Sequence, residues 1–323
     1  MLDVRRLRLL RELAHRGTIA AVADALAFTP SAVSQQLSAL EREAGVPLLE
    51  RTGRSVTLTP AATALVAHAD TVLAHLEQAA AELAAHRGEP AGPLRIGTFP
   101  SAARTLLPTA LARLARDHPA LEPHVAELDP AQAADRLRAG DLDAALLHRY
   151  DFAPAPTAPG IQTVTLFSEP LYLATRATSA SPTTPAPTTP EATTPAGNPL
   201  AAHRHAAWIL ATPGTLCHTM TIRACEAAGF TPTARHHIDD FTAVLALVAA
   251  GQGVALVPRL GIADTPSHTV AAVRLTELPL TRETRLAHRA GAAPHPAIRA
   301  LAHALRGTFA PTPSPQPDDR PWG

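Results

Sequence analysis

From Pro30 onward the apolar side chains Val33, Leu37 and Leu40 recur at spacings of four and three, while Ser31, Ser34, Gln35 and Ser38 fall on the other side. That is the period of an amphipathic helix with one buried stripe. Thr29 precedes it as a capping residue, and Pro30 takes the first helical position, where a missing N–H costs nothing. Just upstream, Thr18 starts a shorter helix with Val22, Ala25 and Leu26 facing inward, and the link at Ala27–Phe28 turns one helix into the next. Gly45 ends the second helix, and the apolar run Val46 to Leu49 follows. Arg51 and Arg54 then flank Gly53, and Val56, Thr57, Leu58 and Thr59 alternate as a strand. Two short helices followed by a two-stranded wing make a winged helix-turn-helix, whose second helix suits a DNA major groove.

Residues 61–88 read as one uninterrupted helix, ended by Gly88 and Pro90. Along it Leu65, Ala69, Val72, Leu76, Ala79 and Leu83 recur at alternating intervals of four and three, the seam of a coiled coil. At 1.5 Å per residue the rod is about 40 Å long. From Gly92 to about Phe309 short apolar strands alternate with Ala- and Leu-rich helices, the signature of α/β units. Leu94 to Phe99 form a strand feeding a helix that begins near Ser101 and Ala102 and offers its free N–H groups to an anion. A further strand ends at His148. The most apolar stretch, Phe241 to Pro258, is interrupted by Gly251, Gln252 and Gly253. It reads as a buried helix, a turn and a buried strand rather than a membrane span. Residues 179–199 are a Pro/Thr tract, read as a solvated loop insertion, and residues 310–323 are a Pro-rich disordered tail.

Charge changes this picture only locally. The 323 residues carry 28 basic and 28 acidic side chains, and every basic one is arginine, so no global field points to nucleic acid or a membrane. Residues 1–60 hold eight arginines against six acids, which makes placement matter: Arg51 and Arg54 at the wing suit phosphates or a narrow minor groove. The start lacks an apolar run with a cleavage site, and two cysteines make no disulfide framework, so a cytoplasmic location is expected. No phosphate loop or nucleophile elbow is present, which argues against an enzyme. The pairs His203 with His205 and His236 with His237 lack the further converging ligands a metal needs, so no metal or cofactor is expected.

The run from Ile19 to Ala62, with Ser-Ala-Val-Ser at 31–34, Leu-Glu at 40–41 and Leu-Thr at 58–59, resembles the N-terminal domain of LysR-type transcriptional regulators. The resemblance extends over almost the whole chain. It implies an α+β multidomain protein: a winged helix-turn-helix over 1–60, a coiled-coil linker helix over 61–88, and a two-lobed α/β effector-binding domain over 89–309 built like a periplasmic binding protein. The lobes are expected at about 92–160 plus 275–308, and at 161–274. By position, the residues facing double-stranded DNA are Pro30, Ser31, Ser34, Gln35 and Ser38 on the recognition helix, with Arg51, Arg54 and Thr59 at the wing. Gln35 stands where the family often has arginine, which favours adenine over guanine. Ala62 stands where the family has glycine, a change a helix start tolerates.

The family also implies a small-molecule effector between the lobes, on Thr98, Ser101, Ala102, Asp129, His148, Pro213, Gly214 and Thr215. His148 suggests a weakly anionic ligand; Asp129, which repels a carboxylate, argues the other way. The linker helices are expected to pair in a homodimer or homotetramer, and the regulator to work with RNA polymerase on an interrupted palindromic operator. An alternative is thiol-based redox sensing through Cys217 and Cys225. Peroxide-sensing members of the family carry two cysteines in this region, but a helix here sets these two about two turns apart.

Overall fold

The computed structural model describes residues 1–52, 55–153, 158–177 and 198–308, and only the backbone of residues 51, 52 and 55. Three helices open the chain: α1 (Val4–Arg16), α2 (Ile19–Leu26) and α3 (Pro30–Ala44). Each start is capped by an oxygen that the sequence supplies. Asp3 accepts from Arg5 and Arg6, Thr18 from Ala21, and Thr29 from Ala32. Between α2 and α3 the chain turns at Ala27, in the left-handed region at φ 55°, and Gly45 ends α3 at φ 71°. Val33, Leu37 and Leu40 are buried as their spacing predicts, against Leu10, Leu13 and Val22. Strands β1 (Leu49–Thr52) and β2 (Ser55–Leu58) pair antiparallel as the wing. Glu41 fixes the wing to α3 by accepting from the backbone N–H groups of Leu48 and Leu49 at 2.9 and 3.0 Å.

Helix α4 (Pro60–Ala85) is the linker. Its apolar stripe divides in two. Ala69 is fully buried and Leu65 packs into the core of the first domain, whereas Val72, Leu76, Ala79 and Leu83 stay exposed. The reason is the close packing of α1 along the first turns of α4. The exposed half of the expected seam is therefore Val72 to Leu83.

The remaining elements form the two-lobed domain. They are β3 (Gly92–Thr98), α5 (Pro100–Thr105), α6 (Leu107–Asp117), β4 (Leu121–Glu127), α7 (Pro130–Ala139), β5 (Ala144–Tyr150), β6 (Ile161–Arg176), β7 (Ala207–Leu210), α8 (Leu216–Ala227), β8 (Thr233–His237), α9 (Phe241–Ala249), β9 (Ala255–Pro258), α10 (Arg259–Ile262), α11 (Ser267–Ala271), β10 (Val273–Arg289) and α12 (Pro296–Arg306). One six-stranded sheet runs β4-β3-β5-β10-β6-β9. In the first lobe β3 pairs parallel with β4 and β5; α6 and α12 cover one face and α7 the other. In the second, α8 and α9 sit on opposite faces, around Trp208 on one side and Val248 on the other.

The two long strands β6 and β10 pair along their length and serve both lobes, with register shifts between Leu278 and Thr281 and between Thr284 and Arg285. The crossing thus falls inside the strands, near Pro170 and Thr281, and not at about 161 and 275 as the family resemblance implied. A long strand shared by two lobes has no compositional break at the crossing. Of the insertion expected at 179–199 and the tail at 310–323, all but residues 198–199 lie outside the described residues.

The first lobe, the linker and the first domain are joined by specific contacts. Arg8 donates to the carbonyl of Ala139 at 2.8 Å, and Arg289 pairs with Glu77 at 3.0 Å. Gly291 lies so close to α4 that a Cβ there would collide with the Ala74 carbonyl oxygen. Leu37→Ala, which empties the 1 % exposed centre of the first core, is expected to destabilise that domain by about 2–5 kcal/mol. Urea unfolding followed by circular dichroism checks it; a loss under half a kcal/mol, on the order of a surface change, contradicts this packing.

Candidate functional site

Two surfaces carry the chemistry. The first is the outer face of α3, where Pro30, Ser31 and Gln35 are exposed and Ser34 and Ser38 are half-buried. The Thr29 hydroxyl lies 3.0 Å from that of Ser31, so the helix start presents a fixed pair of hydroxyls. Phe28, 54 % exposed, stands beside them as a large apolar side chain that sequence reading passed over. Thr59 does not belong to this face. It is 8 % exposed, donates to the Pro47 carbonyl at 3.0 Å and caps α4 by accepting from Ala62 at 3.1 Å. A hydroxyl with both roles filled is a joint between wing and linker and not a DNA contact. The side chains of Arg51 and Arg54 lie outside the described residues.

The second surface is a cleft of about 300 Å³ between the lobes, at the carboxyl ends of β3, β4 and β5, where open α/β sheets place their ligands. Of the eight residues expected there, Ser101, Asp129, His148 and Thr215 line it. The other four do not. Thr98 and Ala102 are buried beneath it at 1 % and 0 % exposure, because strand alternation and the helical period turn them into the core. Pro213 and Gly214 lie on the exposed turn before α8 and miss the cavity. Asp129 follows β4 and caps α7, accepting from Ala131 at 2.8 Å, and Thr215 caps α8 by accepting from His218 at 3.2 Å.

Sequence reading missed the residue at the base of the cleft. Arg282, on β10, is 1 % exposed and pairs at 2.7 Å with Glu169 on β6, 113 positions away. The second oxygen of Glu169 accepts from the backbone of Leu260 at 2.6 Å. The guanidinium also stacks 5.3 Å above the Phe99 ring and lies 3.4 Å from the Ser101 hydroxyl. Nearer the mouth Arg104 of the first lobe pairs with Asp240 of the second at 2.6 Å, closing a bridge between lobes. Tyr150, Cys217, Asp239 and Phe241 complete the wall.

Burial, and secondarily the charge of Arg282, push the His148 imidazole down to about 3, so this ring is neutral and offers no cation to a ligand. Its Nδ1 is shielded and has no hydrogen-bond partner among the described residues. Cys217 lies against Tyr150, and burial drives its thiol up to about 11 despite the tyrosine's hydrogen bond. Burial first, and Glu226 second, raise Cys225 to about 12. Both cysteines are free and sit on α8. Eight residues of helix separate them by about 12 Å along the axis, well beyond disulfide reach.

The His148 shift has a fixed sign. Below pH 6.5 the unfolded chain takes up a proton that the native ring refuses until about pH 3, so stability falls with acid across that window. His148→Gln is expected to shrink this acid loss, one proton being worth up to about 1.4 kcal/mol per pH unit. Urea unfolding at several pH values checks it, and identical pH slopes in the two proteins overturn it.

Comparison with known proteins identifies the two domains that carry these surfaces. Residues 4–63 match the family described as "Bacterial regulatory helix-turn-helix protein, lysR family", and residues 87–310 match the "LysR substrate binding domain". The Bacillus subtilis transcriptional dual regulator GltC is 28% identical over 279 residues, covering 83% of this chain and 85% of its own. A probable hydrogen peroxide-inducible genes activator of Streptomyces viridosporus is 32% identical over 287 residues, with 88% and 87% covered. Among solved structures, full-length OxyR from Pseudomonas aeruginosa superposes with a TM-score of 0.58 at 25% identity, covering 95% of each chain. The chain belongs to the LysR family of bacterial transcriptional regulators, which are helix-turn-helix DNA-binding proteins and not enzymes.

Proposed function

We propose that the protein regulates transcription from the cytoplasm as a homodimer or homotetramer on an interrupted palindromic operator. A small molecule bound between the lobes sets its action on RNA polymerase. The observation that carries this reading is the split in α3 between a fully buried apolar stripe and an outer face with Ser31 and Gln35 exposed. A helix with its apolar stripe spent on the core and such an outer face matches the major groove in size and chemistry. Val72, Leu76 and Leu83, at 38 %, 50 % and 64 % exposure, supply an apolar strip for a second copy of the helix. No described helix is long and apolar enough to cross a membrane. An effector acts here only through unequal affinity for the open and closed arrangements of the lobes.

A gel shift and footprint on the DNA upstream of the protein's own gene, at two salt concentrations, tests the reading. Gln35→Ala is expected to cost about 1–3 kcal/mol on the protected operator and nothing on unrelated DNA. Equal loss on both would show that Gln35 reads no base.

A second reading, thiol-based sensing, draws on Cys217, which lines the cleft, and on relatives named as hydrogen peroxide-inducible genes activators. The protonated state of Cys217 and the separation along α8 weigh against it. Cys217 is expected to resist iodoacetamide in the native protein at neutral pH, becoming reactive only as pH approaches about 11. Rapid alkylation at neutral pH, or a Cys217–Cys225 disulfide seen by mass spectrometry after peroxide, would favour the redox reading.

A further inference from the structure

Phe28 is an aromatic side chain for which the core of the first domain has no place. Two local packing schemes would bury a large apolar residue at this point of the chain. As the residue before the Thr29 cap it would staple onto Val33, one turn inside α3. As the second residue beyond α2, with its N–H donating to the Ala23 carbonyl at 2.9 Å, it would fold back on that helix. Neither scheme is carried to completion. Phe28 keeps 54 % of its surface exposed and stands outside the cluster around Leu10, Leu13 and Val22, in which Val33 and Ala23 are fully buried.

The exposure does not come from a loose loop. Ala27 sits at φ 55°, where L residues are uncommon, and is the one non-glycine residue with positive φ among the described residues. The Phe28 N–H bond holds the chain to α2, and the Thr29 hydroxyl, accepting from Ala32 at 3.2 Å, holds it to α3. The ring is therefore carried on a backbone fixed from both sides. It is continuous with the DNA-facing surface, since Phe28, Thr29, Pro30 and Ser31 are exposed in succession and Gln35 follows one turn later. The N-terminal end of a recognition helix is the end that meets base edges. In a major groove lined by polar edges, the apolar partner for such a ring is the 5-methyl group of thymine.

We propose that Phe28 is a specificity-determining residue that reads a thymine methyl group in each half of the operator. This rests on the reading of α3 as the recognition helix and adds to it a base contact made without hydrogen bonds. Seven positions separate Phe28 from Gln35, about 10 Å at the rise of a helix and so about three base steps. The thymine accordingly lies within about three base pairs of the base that Gln35 reads. Ring and methyl group leave water together on binding, and a cytosine or an adenine at that position offers the ring no such group.

The full chain is used to select its preferred site from a pool of random duplex DNA, and Gln35→Ala locates the base pair at which glutamine governs the preference. Each thymine of the selected half-site is then replaced in turn by deoxyuridine, which lacks only the methyl group. The wild type is expected to lose about fourfold in affinity at one thymine within about three base pairs of that position, the worth of one buried methyl group. Phe28→Ala should bind the thymine and deoxyuridine duplexes alike, Phe28→Leu should keep part of the difference, and Gln35→Ala should keep all of it. Thermal melting followed by circular dichroism confirms that the variants fold. Indifference of the wild type to every replacement overturns the proposal, as does a selected half-site with no thymine in that interval. A Phe28→Ala protein that is weakened on both duplexes yet still tells them apart overturns it too, and assigns the ring to a protein contact. Selection that returns no preferred sequence overturns the reading of α3 itself, and the contact with it.

Discussion

The buried pair of Arg282 and Glu169 is the constraint on which the two-lobed domain depends. Removing two charges from water costs several kcal/mol per ion after relaxation, and their attraction offsets this only when the remaining hydrogen-bonding positions are filled. Here they are filled from three sides: Leu260 donates to Glu169, Ser101 lies near the guanidinium, and the Phe99 ring covers it. The groups that satisfy the pair come from both lobes, so the pair fixes where β6 and β10 cross from one lobe to the other. It also sets the chemistry of the cleft above it. Burial, with the charge of Arg282 second, keeps the His148 imidazole uncharged, and the guanidinium, committed to Glu169, offers a ligand no free cation.

Local patterns in the chain revealed local structure. The stripe of Val33, Leu37 and Leu40, the caps at Thr18 and Thr29 and the glycine stop at Gly45 all follow from periods and capping rules that act within a few residues. Readings that turned on the third dimension came out differently. Thr59 looks polar and wing-placed in sequence, yet its hydroxyl is spent on Pro47 and Ala62. Thr98 sits one residue from the cleft, but the alternation of a strand turns it inward. Arg282 was invisible because nothing local distinguishes it from the other arginines near it, and its partner lies in another strand. Tyr150, Cys217 and Phe241 share that cause: each reaches the cleft from a different element.

The linker shows the same limit in one helix. Its heptad-like stripe is a single pattern in sequence, but two partners use it. Leu65 and Ala69 close the core of the DNA-binding domain, and only Val72, Leu76, Ala79 and Leu83 are left exposed. A strip of four small and medium apolar side chains is short for a coiled coil, and isolated helices of this kind are marginal. Helix α4 is therefore held mainly by what it packs on within the chain, through α1 on one side and the Glu77–Arg289 pair on the other.

Those contacts bear on how a cleft can influence DNA. The residues that grip the first domain and the linker, Ala139 and Arg289, belong to the first lobe. Strand β10 carries both Arg282 at the cleft and Arg289 at the linker, about 24 Å apart at the rise of an extended strand. Domain, linker and first lobe thus form one connected body, while the second lobe joins it through β6, β10 and the Arg104–Asp240 bridge. A closure of the cleft as proposed would move the second lobe and leave the contacts at the linker in place. Within a single chain such a motion has little purchase on the recognition helix. It gains purchase when the second lobe of one chain bears on another protomer, so that a change of lobe angle becomes a change in the spacing of two recognition helices. In the proposed oligomer, assembly is then part of the sensing mechanism as well as of DNA affinity.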